Sequence, residues 1–69
     1  MALCDYEQKL KSLCRYKGWD ILVWDGTYHE FTFYGTMDVL IKEYPNWLKR
    51  KVIDLDYDKE NIVINITLE

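Results

Sequence analysis

Apolar residues recur with two periods along this chain, and the change between them divides it into helices and strands. In the first segment, residues 3–18, the apolar positions fall three or four residues apart, the spacing of an amphipathic helix; they are Leu3, Tyr6, Leu10, Leu13 and Cys14. Asp5 and Gln8 have the spacing of a capping box, and Gly18 is a natural C-terminal stop. The pattern predicts a first helix that begins within a turn of Asp5.

The next segment predicts a β-hairpin. Residues 19–24 and 28–34 are rich in β-branched and aromatic side chains, and Asp25-Gly26-Thr27 separates them. On the second strand, Phe31 and Phe33 are expected on one face and Thr32 on the other, together with Glu30 and Tyr34. The first strand is apolar on both faces, which favours a central position in the sheet.

A second helix and a second hairpin complete the pattern. Thr36 is the expected N-cap of the helix "MDVLIKEYP", and the turn "PNWLKRK" follows it. Apolar and polar side chains alternate in residues 52–57 and again in residues 61–68, and residues 58–60 form the predicted turn between these two strands. The residues expected to face the core are Ile53, Leu55, Tyr57, Ile62, Ile64, Ile66 and Leu68.

These elements predict an α+β fold in a single small domain, residues 1–69. The order αββαββ indicates two layers, a four-stranded, mostly antiparallel sheet with the helices on one face. A right-handed crossover through the second helix would leave room for strand 1 between strands 2 and 3, although the pattern leaves the strand order open.

Composition supports a folded domain with a small core. At 69 residues, only about 60% of the unfolded chain's surface is buried on folding. Three Trp, six Tyr and two Phe supply bulk for that core, and a hydrophobic content of 49% argues against intrinsic disorder.

The charge is acidic and unevenly distributed. Nine basic and twelve acidic residues give a net charge of −3, which argues against non-specific binding to nucleic acid. Residues 1–17 carry four basic and two acidic side chains, whereas residues 52–69 carry one basic and five acidic ones. The acidic end could bind a basic partner or a basic part of the same fold.

Cysteine usage and hydropathy indicate a soluble, cytoplasmic protein. On one helix Cys4 and Cys14 would be about 15 Å apart, too far for a disulfide, and free thiols fit a reducing compartment. No apolar run approaches the length of a membrane span, and the N-terminus lacks the apolar stretch of a signal peptide.

The segment "VIDLDYD" places Asp54, Asp56 and Asp58 at alternate positions. A calcium loop starting at Asp54 would need Gly and Glu where Lys59 and Asn65 stand, so no metal site is expected. Paired catalytic carboxylates would need a concave pocket, which an open sheet face rarely provides. The row is therefore either the solvated face of a strand or a docking surface for a basic patch.

His29 is the only histidine and stands beside Glu30 on a predicted strand. A metal site would need Cys or His partners nearby, and a catalytic triad cannot be assembled from thiols on a distant helix. We therefore expect an ordinary strand histidine near the hairpin tip.

Aromatic residues provide a second candidate surface. Trp24, Tyr28 and Tyr34 are expected on the sheet face opposite the helices, where an exposed aromatic patch is typical of partner binding. The absence of interleaved Lys and Arg argues against stacking on single-stranded nucleic acid. Packing in the core or in a homodimer is the alternative.

The last strand, residues 61–68, is apolar and uncharged. At a sheet edge it would invite strand addition, by a second copy or by another partner.

From residue 19 onward the chain resembles small proteins carried by phages and mobile elements of Gram-positive bacteria. The resemblance rests on "DILVWDGTYHEFTFYGTMDVLIKEYP" followed by "LKRKVIDLDYDKENIVINITL", a scheme of hairpin, short helix and isoleucine-alternating final strand. It implies residence in a host cytosol and a regulatory or inhibitory role, and it carries over no functional residue.

The sequence thus predicts a non-enzymatic interaction protein without cofactor, metal or membrane association. It would bind and inhibit a host protein, such as a defence nuclease or another defence component. The alternatives are a small enzyme or ligand-binding domain using His29 and carboxylates, and a structural homo-oligomer through the last strand. The residues expected to contact a partner are Asp54, Asp56, Asp58, Glu60, Trp24, Tyr28, Glu30 and Tyr34.

Overall fold

The computed structural model describes residues 1–69 and contains the helices and strands in the predicted order, which confirms the α+β class. A short 3₁₀ turn precedes the first helix and a second one follows the second helix. The elements are the turn Leu3–Tyr6, α1 Glu7–Tyr16, β1 Asp20–Asp25, β2 Glu30–Gly35, α2 Met37–Glu43, the turn Pro45–Lys49, β3 Val52–Asp58 and β4 Val63–Leu68.

The four strands form one mixed sheet in the order β2-β1-β4-β3. β1 pairs antiparallel with β2 and parallel with β4, where Ile21 lies beside Ile64, and β3 pairs antiparallel with β4. β1 is central, as predicted, but its second neighbour is β4 and not strand 3. Edge strands commonly carry charges that discourage further pairing, and β3 with its aspartates occupies one edge.

The last strand, for which the sequence pattern left an edge position open, does not lie at a sheet edge. β4 is hydrogen-bonded on both sides, to β1 and to β3, so its backbone offers no edge for strand addition or for a dimer through residues 61–68. Its alternating apolar side chains belong to the most buried part of the sheet.

The core lies between one face of the sheet and the two helices. Ten buried apolar residues form a single cluster, to which strands and helices both contribute: Leu3, Leu10, Ile21, Val23, Phe33, Met37, Leu40, Ile64, Ile66 and Leu68. Burying each such side chain stabilises the fold by about 1.5–3 kcal/mol. We call the opposite sheet face the open face.

Two β-bulges change the direction of side chains that alternation alone assigned to the core. In β2, Val23 pairs with Phe33 and Trp24 with Phe31, so Thr32 is the extra residue, and its hydroxyl donates to the Val23 carbonyl (3.0 Å). Phe33 is therefore buried whereas Phe31 is 53% exposed. A second bulge, between Val52 and Asp54, leaves Ile53 51% exposed. The predicted inward direction of Phe31 and Ile53 is wrong.

Both hairpin loops are longer than predicted. Each contains four residues, 26–29 and 59–62, and ends with a non-glycine residue in the left-handed region, His29 or Ile62, both with φ of 55°. As a result Tyr28 and His29 lie in a loop and not on a strand. Ile62, expected to face the core, is 49% exposed.

Local hydrogen bonds form the helix caps, and a long-range one holds the N-terminus against β3. The Asp5 carboxylate accepts a bond from the Ala2 N–H (2.9 Å), one turn earlier than predicted, and the Thr36 hydroxyl accepts one from the Val39 N–H (3.4 Å), as predicted. The Val52 N–H donates to the Met1 carbonyl (2.8 Å). Neither helix has the length and apolar character needed to span a membrane.

Candidate functional site

The open face carries a cleft of about 370 Å³ that is accessible to solvent. Residues of both hairpins line it, and only one of them is hydrophobic. They are Trp24, Asp25, His29, Asp54, Asp56, Asn65 and Thr67. The cleft therefore lies over the β1–β4 pairing, where the two hairpins meet.

The sheet register sets the arrangement of the cleft. Trp24 on β1 lies beside Thr67 on β4, and Thr67 lies opposite Asp54 on β3. Asn65 lies opposite Asp56 in the same way. Because neighbouring strands are about 4.8 Å apart, the backbones at Trp24 and Asp54 are separated by roughly 10 Å. The cleft thus has an aromatic wall, a polar floor and an acidic wall.

The orientation of the Trp24 indole is fixed by two contacts. Its Nε1–H donates to Asn65 Oδ1 (3.4 Å). The ring packs edge-to-face against Phe31, with centroids 6.0 Å apart and planes at 73°. The bulge that turns Phe31 outward therefore supports the aromatic wall.

The Asp25 carboxylate is used to build the first loop. It accepts hydrogen bonds from the N–H groups of Thr27 (2.8 Å) and Tyr28 (3.2 Å), and it pairs with the Arg50 guanidinium (3.3 Å). These partners, the Tyr28 N–H first, lower the pKa of Asp25. Arg50 also donates from Nε to the Glu69 carbonyl (2.9 Å). Asp25 lines the cleft, but its charge is already compensated.

Asp54 and Asp56 are the uncompensated charges of the cleft. Both residues are exposed on the open face, where the sequence placed them, and neither carboxylate makes a side-chain hydrogen bond or an ion pair. They follow one another along one side of β3 at the sheet edge. We call this pair the acidic wall.

Asp58, the third member of the predicted acidic row, has a structural role in the second loop. Its carboxylate accepts bonds from the N–H groups of Glu60 (3.1 Å) and Asn61 (3.2 Å) and from the Asn61 side chain (2.8 Å). The Asn61 side chain is the largest cause of the lowered pKa of Asp58. Glu60 is exposed in the same loop, and neither residue lines the cleft.

The remaining residues predicted to contact a partner also lie outside the cleft. Tyr34 on β2 donates from its hydroxyl to Asp20 (2.9 Å), and this hydrogen bond raises the pKa of Tyr34. Tyr28 is 73% exposed in the first loop, and Glu30 is exposed at the start of β2. The structure thus brings together Trp24, Asp54 and Asp56 from the predicted set.

Sequence reasoning did not assign Asp25, Asn65 or Thr67 to a site, and it named His29 only for the alternative enzyme or ligand-binding function. His29 was assigned to a strand, whereas the four-residue loop after Asp25 places it against the cleft. Asn65 and Thr67 are the polar positions of the otherwise apolar "VINITL". That alternation was the available signal, because polar positions on a central strand must face the uncovered side of the sheet.

No group of three or more His, Cys, Asp or Glu side chains is arranged to hold a metal ion. Both cysteines are free thiols on the helical side of the fold. Burial is the main cause of the raised pKa of Cys14, which disfavours its thiolate.

No family model, curated protein or solved structure matches the chain. The resemblance to proteins of phages and mobile elements therefore stays a prediction, and the functional interpretation rests on the cleft.

Proposed function

We propose that this protein is a non-enzymatic interaction domain whose open face binds a basic surface of a partner protein. The observation that carries the proposal is the acidic wall: Asp54 and Asp56 are exposed and unpaired, and they line one cleft together with Trp24. Carboxylates of this kind increase the rate of encounter with a basic partner, and an aromatic ring beside them adds contact area with low conformational entropy.

The charge distribution favours a protein partner over nucleic acid. The cleft has no lysine or arginine among its lining residues, and the nearest guanidinium, that of Arg50, is paired with Asp25. Phosphates would meet uncompensated carboxylates there. In line with the sequence resemblance, the proposed partner is a host protein that is inhibited when its basic surface is covered, such as a nuclease of a defence system.

The test is charge reversal of the acidic wall, Asp54→Lys with Asp56→Lys. We expect partner affinity to fall by at least about 100-fold, because lysines would face a basic surface. Folding should be retained, since both side chains are exposed. Affinity capture from lysate of the native host identifies the partner, and calorimetry with the purified pair then measures the loss.

The matched control is Glu43→Lys with Glu69→Lys, which changes the net charge equally at exposed side chains outside the cleft. This control should bind the partner with nearly the affinity of the wild type. Undiminished binding by the Asp54→Lys, Asp56→Lys variant would refute the proposal.

A small-ligand-binding domain or enzyme is a second candidate, and one observation favours it. The cleft joins His29 to Asp54 and Asp56 in a concave site, the arrangement that acid–base chemistry on a sheet face would need. A thermal-shift screen of small molecules tests this function. A ligand that stabilises the wild type but not the His29→Asn or Asp56→Asn variants would support it.

A further inference from the structure

We infer that the cleft receives one arginine side chain of the partner, with its guanidinium against the Trp24 indole and its N–H groups directed to Asp54 and Asp56. This inference rests on the proposed function, because it names the chemical group that the same site would bind.

The negative charges of the cleft define the first requirement, a cation. Of the three carboxylates that line the cleft, Asp25 already holds the protein's own Arg50, whereas Asp54 and Asp56 hold nothing. Two unpaired carboxylates on one side of a strand repel each other, so a cation placed between them removes that repulsion as well as adding attraction.

The aromatic wall defines the second requirement, a flat cation. Trp24 is oriented by its contacts with Asn65 and Phe31, and it lines the wall of the cleft across β4 from the carboxylates. Tryptophan is the best side chain for binding cations on its face. A guanidinium can stack on the indole and still donate two parallel hydrogen bonds to a carboxylate, whereas a lysine ammonium is a strongly hydrated point charge.

The size and openness of the cleft indicate a side chain carried by a larger molecule. Its volume of about 370 Å³ lies near the lower end of ligand pockets, about 300–1,000 Å³, so it suits one side chain and not a folded element. Such pockets usually enclose most of a free ligand, whereas this one lies on an open sheet face. A side chain that reaches in from a protein surface needs no such enclosure.

The experiment is a titration with three short peptides, acetyl-Gly-X-Gly-amide with X as arginine, lysine or citrulline. The three tryptophans give three indole N–H signals in a ¹H–¹⁵N spectrum, and Trp24→Phe identifies the signal of Trp24. We expect the arginine peptide to shift that signal saturably, the lysine peptide to bind about tenfold more weakly, and the neutral citrulline peptide to cause no shift.

Variants complete the test. The double variant Asp54→Asn with Asp56→Asn should bind the arginine peptide at least about tenfold more weakly than the wild type does. The control is Glu43→Gln, which changes an exposed carboxylate outside the cleft and should leave the affinity for this peptide unchanged. The dispersion of the backbone amide signals reports whether each variant is folded.

The outcomes separate this inference from the proposed function. Equal affinity for the arginine and lysine peptides, or no shift of Trp24 with either, overturns the arginine site. In both cases the proposed function stands if partner capture still depends on Asp54 and Asp56. If capture is also insensitive to those residues, both are wrong.

Discussion

The two hairpins of this protein contain the same loop. In each, an aspartate ends the first strand, and its carboxylate accepts hydrogen bonds from the backbone N–H groups two and three residues later. The donors are Thr27 and Tyr28 in the first loop, and Glu60 and Asn61 in the second. The fourth loop residue then has a φ of 55° before the second strand begins. The shared form arises from local chemistry, because a carboxylate at this position satisfies the N–H groups of the turn.

The loops differ in what they contact beyond themselves. The first loop is fastened to the rest of the fold, since Asp25 pairs with Arg50 and the Gly26 N–H donates to the Leu68 carbonyl (2.7 Å). The side chain of Asp58 is satisfied within its own loop. Only the first loop contributes residues to the cleft. Local sequence thus builds the turn, and long-range contacts determine whether it takes part in a site.

The largest expected difference between the loops is at their first residue. A Cβ at Gly26 would lie 2.6 Å from Ile53 Cδ1 and 2.9 Å from the Leu68 carbonyl oxygen, so Gly26→Ala should cost about 2–3 kcal/mol. The matched residue of the second loop is Lys59, and Lys59→Ala should change stability by less than about 0.5 kcal/mol. Urea unfolding measures both.

Adding Ile53→Val to Gly26→Ala removes the nearer contact but leaves the carbonyl in place, so only part of the loss should be recovered. A Gly26→Ala variant as stable as the wild type would show that contacts with the rest of the fold restrict the first loop no more than the second.

The next difference between the loops concerns how their aspartates contribute to stability as the pH falls. Asp25 and Asp58 both have a lowered pKa in the fold, relative to an ordinary 3.8. Each therefore contributes stability that is present above that value and is lost as the pH falls through the lower folded pKa. We expect urea unfolding between about pH 7 and about pH 2 to show this loss, with Asp25→Asn and Asp58→Asn each reducing the acid dependence, and added salt weakening the contribution of Asp25 more than that of Asp58.

The reason for the unequal salt effect is that Arg50 adds a charge–charge contribution at Asp25 only, whereas the largest cause at Asp58 is a hydrogen bond from the neutral Asn61 side chain. Asparagine retains an oxygen that can accept hydrogen bonds from the N–H groups of the turn, so these substitutions remove the charge without removing that acceptor. An equal salt dependence of the two contributions would indicate that the charge of Arg50 adds nothing.

The smallest difference is at the left-handed residue. A β-branched side chain is strained at a φ of 55°, so Ile62→Asn should stabilise the fold by about 0.5–1 kcal/mol. His29→Asn should change stability by less than about 0.5 kcal/mol, because histidine tolerates this region better. Thermal unfolding measures both, and a loss of stability in Ile62→Asn would mean that the contacts of Ile62 outweigh its strain.

Alternation and cap signals predicted the order of the elements, the Thr36 cap and the outward direction of Asp54 and Asp56. They failed at Phe31 and Ile53, because a bulge depends on the register with the neighbouring strand, and one extra residue interrupts the alternation so that the two sides of the bulge no longer share one inward and outward pattern. The strand order was left open for a similar reason, because it depends on pairings between strands distant in sequence. An edge position of the apolar last strand was one possibility, although its lack of charge fits the centre of the sheet.

The cleft was predictable in part. Trp24, Asp54 and Asp56 followed from strand alternation, whereas His29 reaches the cleft through a loop whose length and attachment depend on Arg50 and Leu68. Asn65 and Thr67 required knowledge that β4 lies between β1 and β3. Pairings distant in sequence therefore decided what the site contains.

The parallel pairing of β1 with β4 has a kinetic consequence. Each hairpin can close on its own within about 1–10 μs, but the seam between them pairs residues 43 positions apart, such as Trp24 and Thr67. Such non-local pairing slows folding, so we expect the domain to fold in milliseconds or more slowly. Because the cleft spans this seam, neither hairpin alone forms it, and any molecule bound there would protect both hairpins together against unfolding.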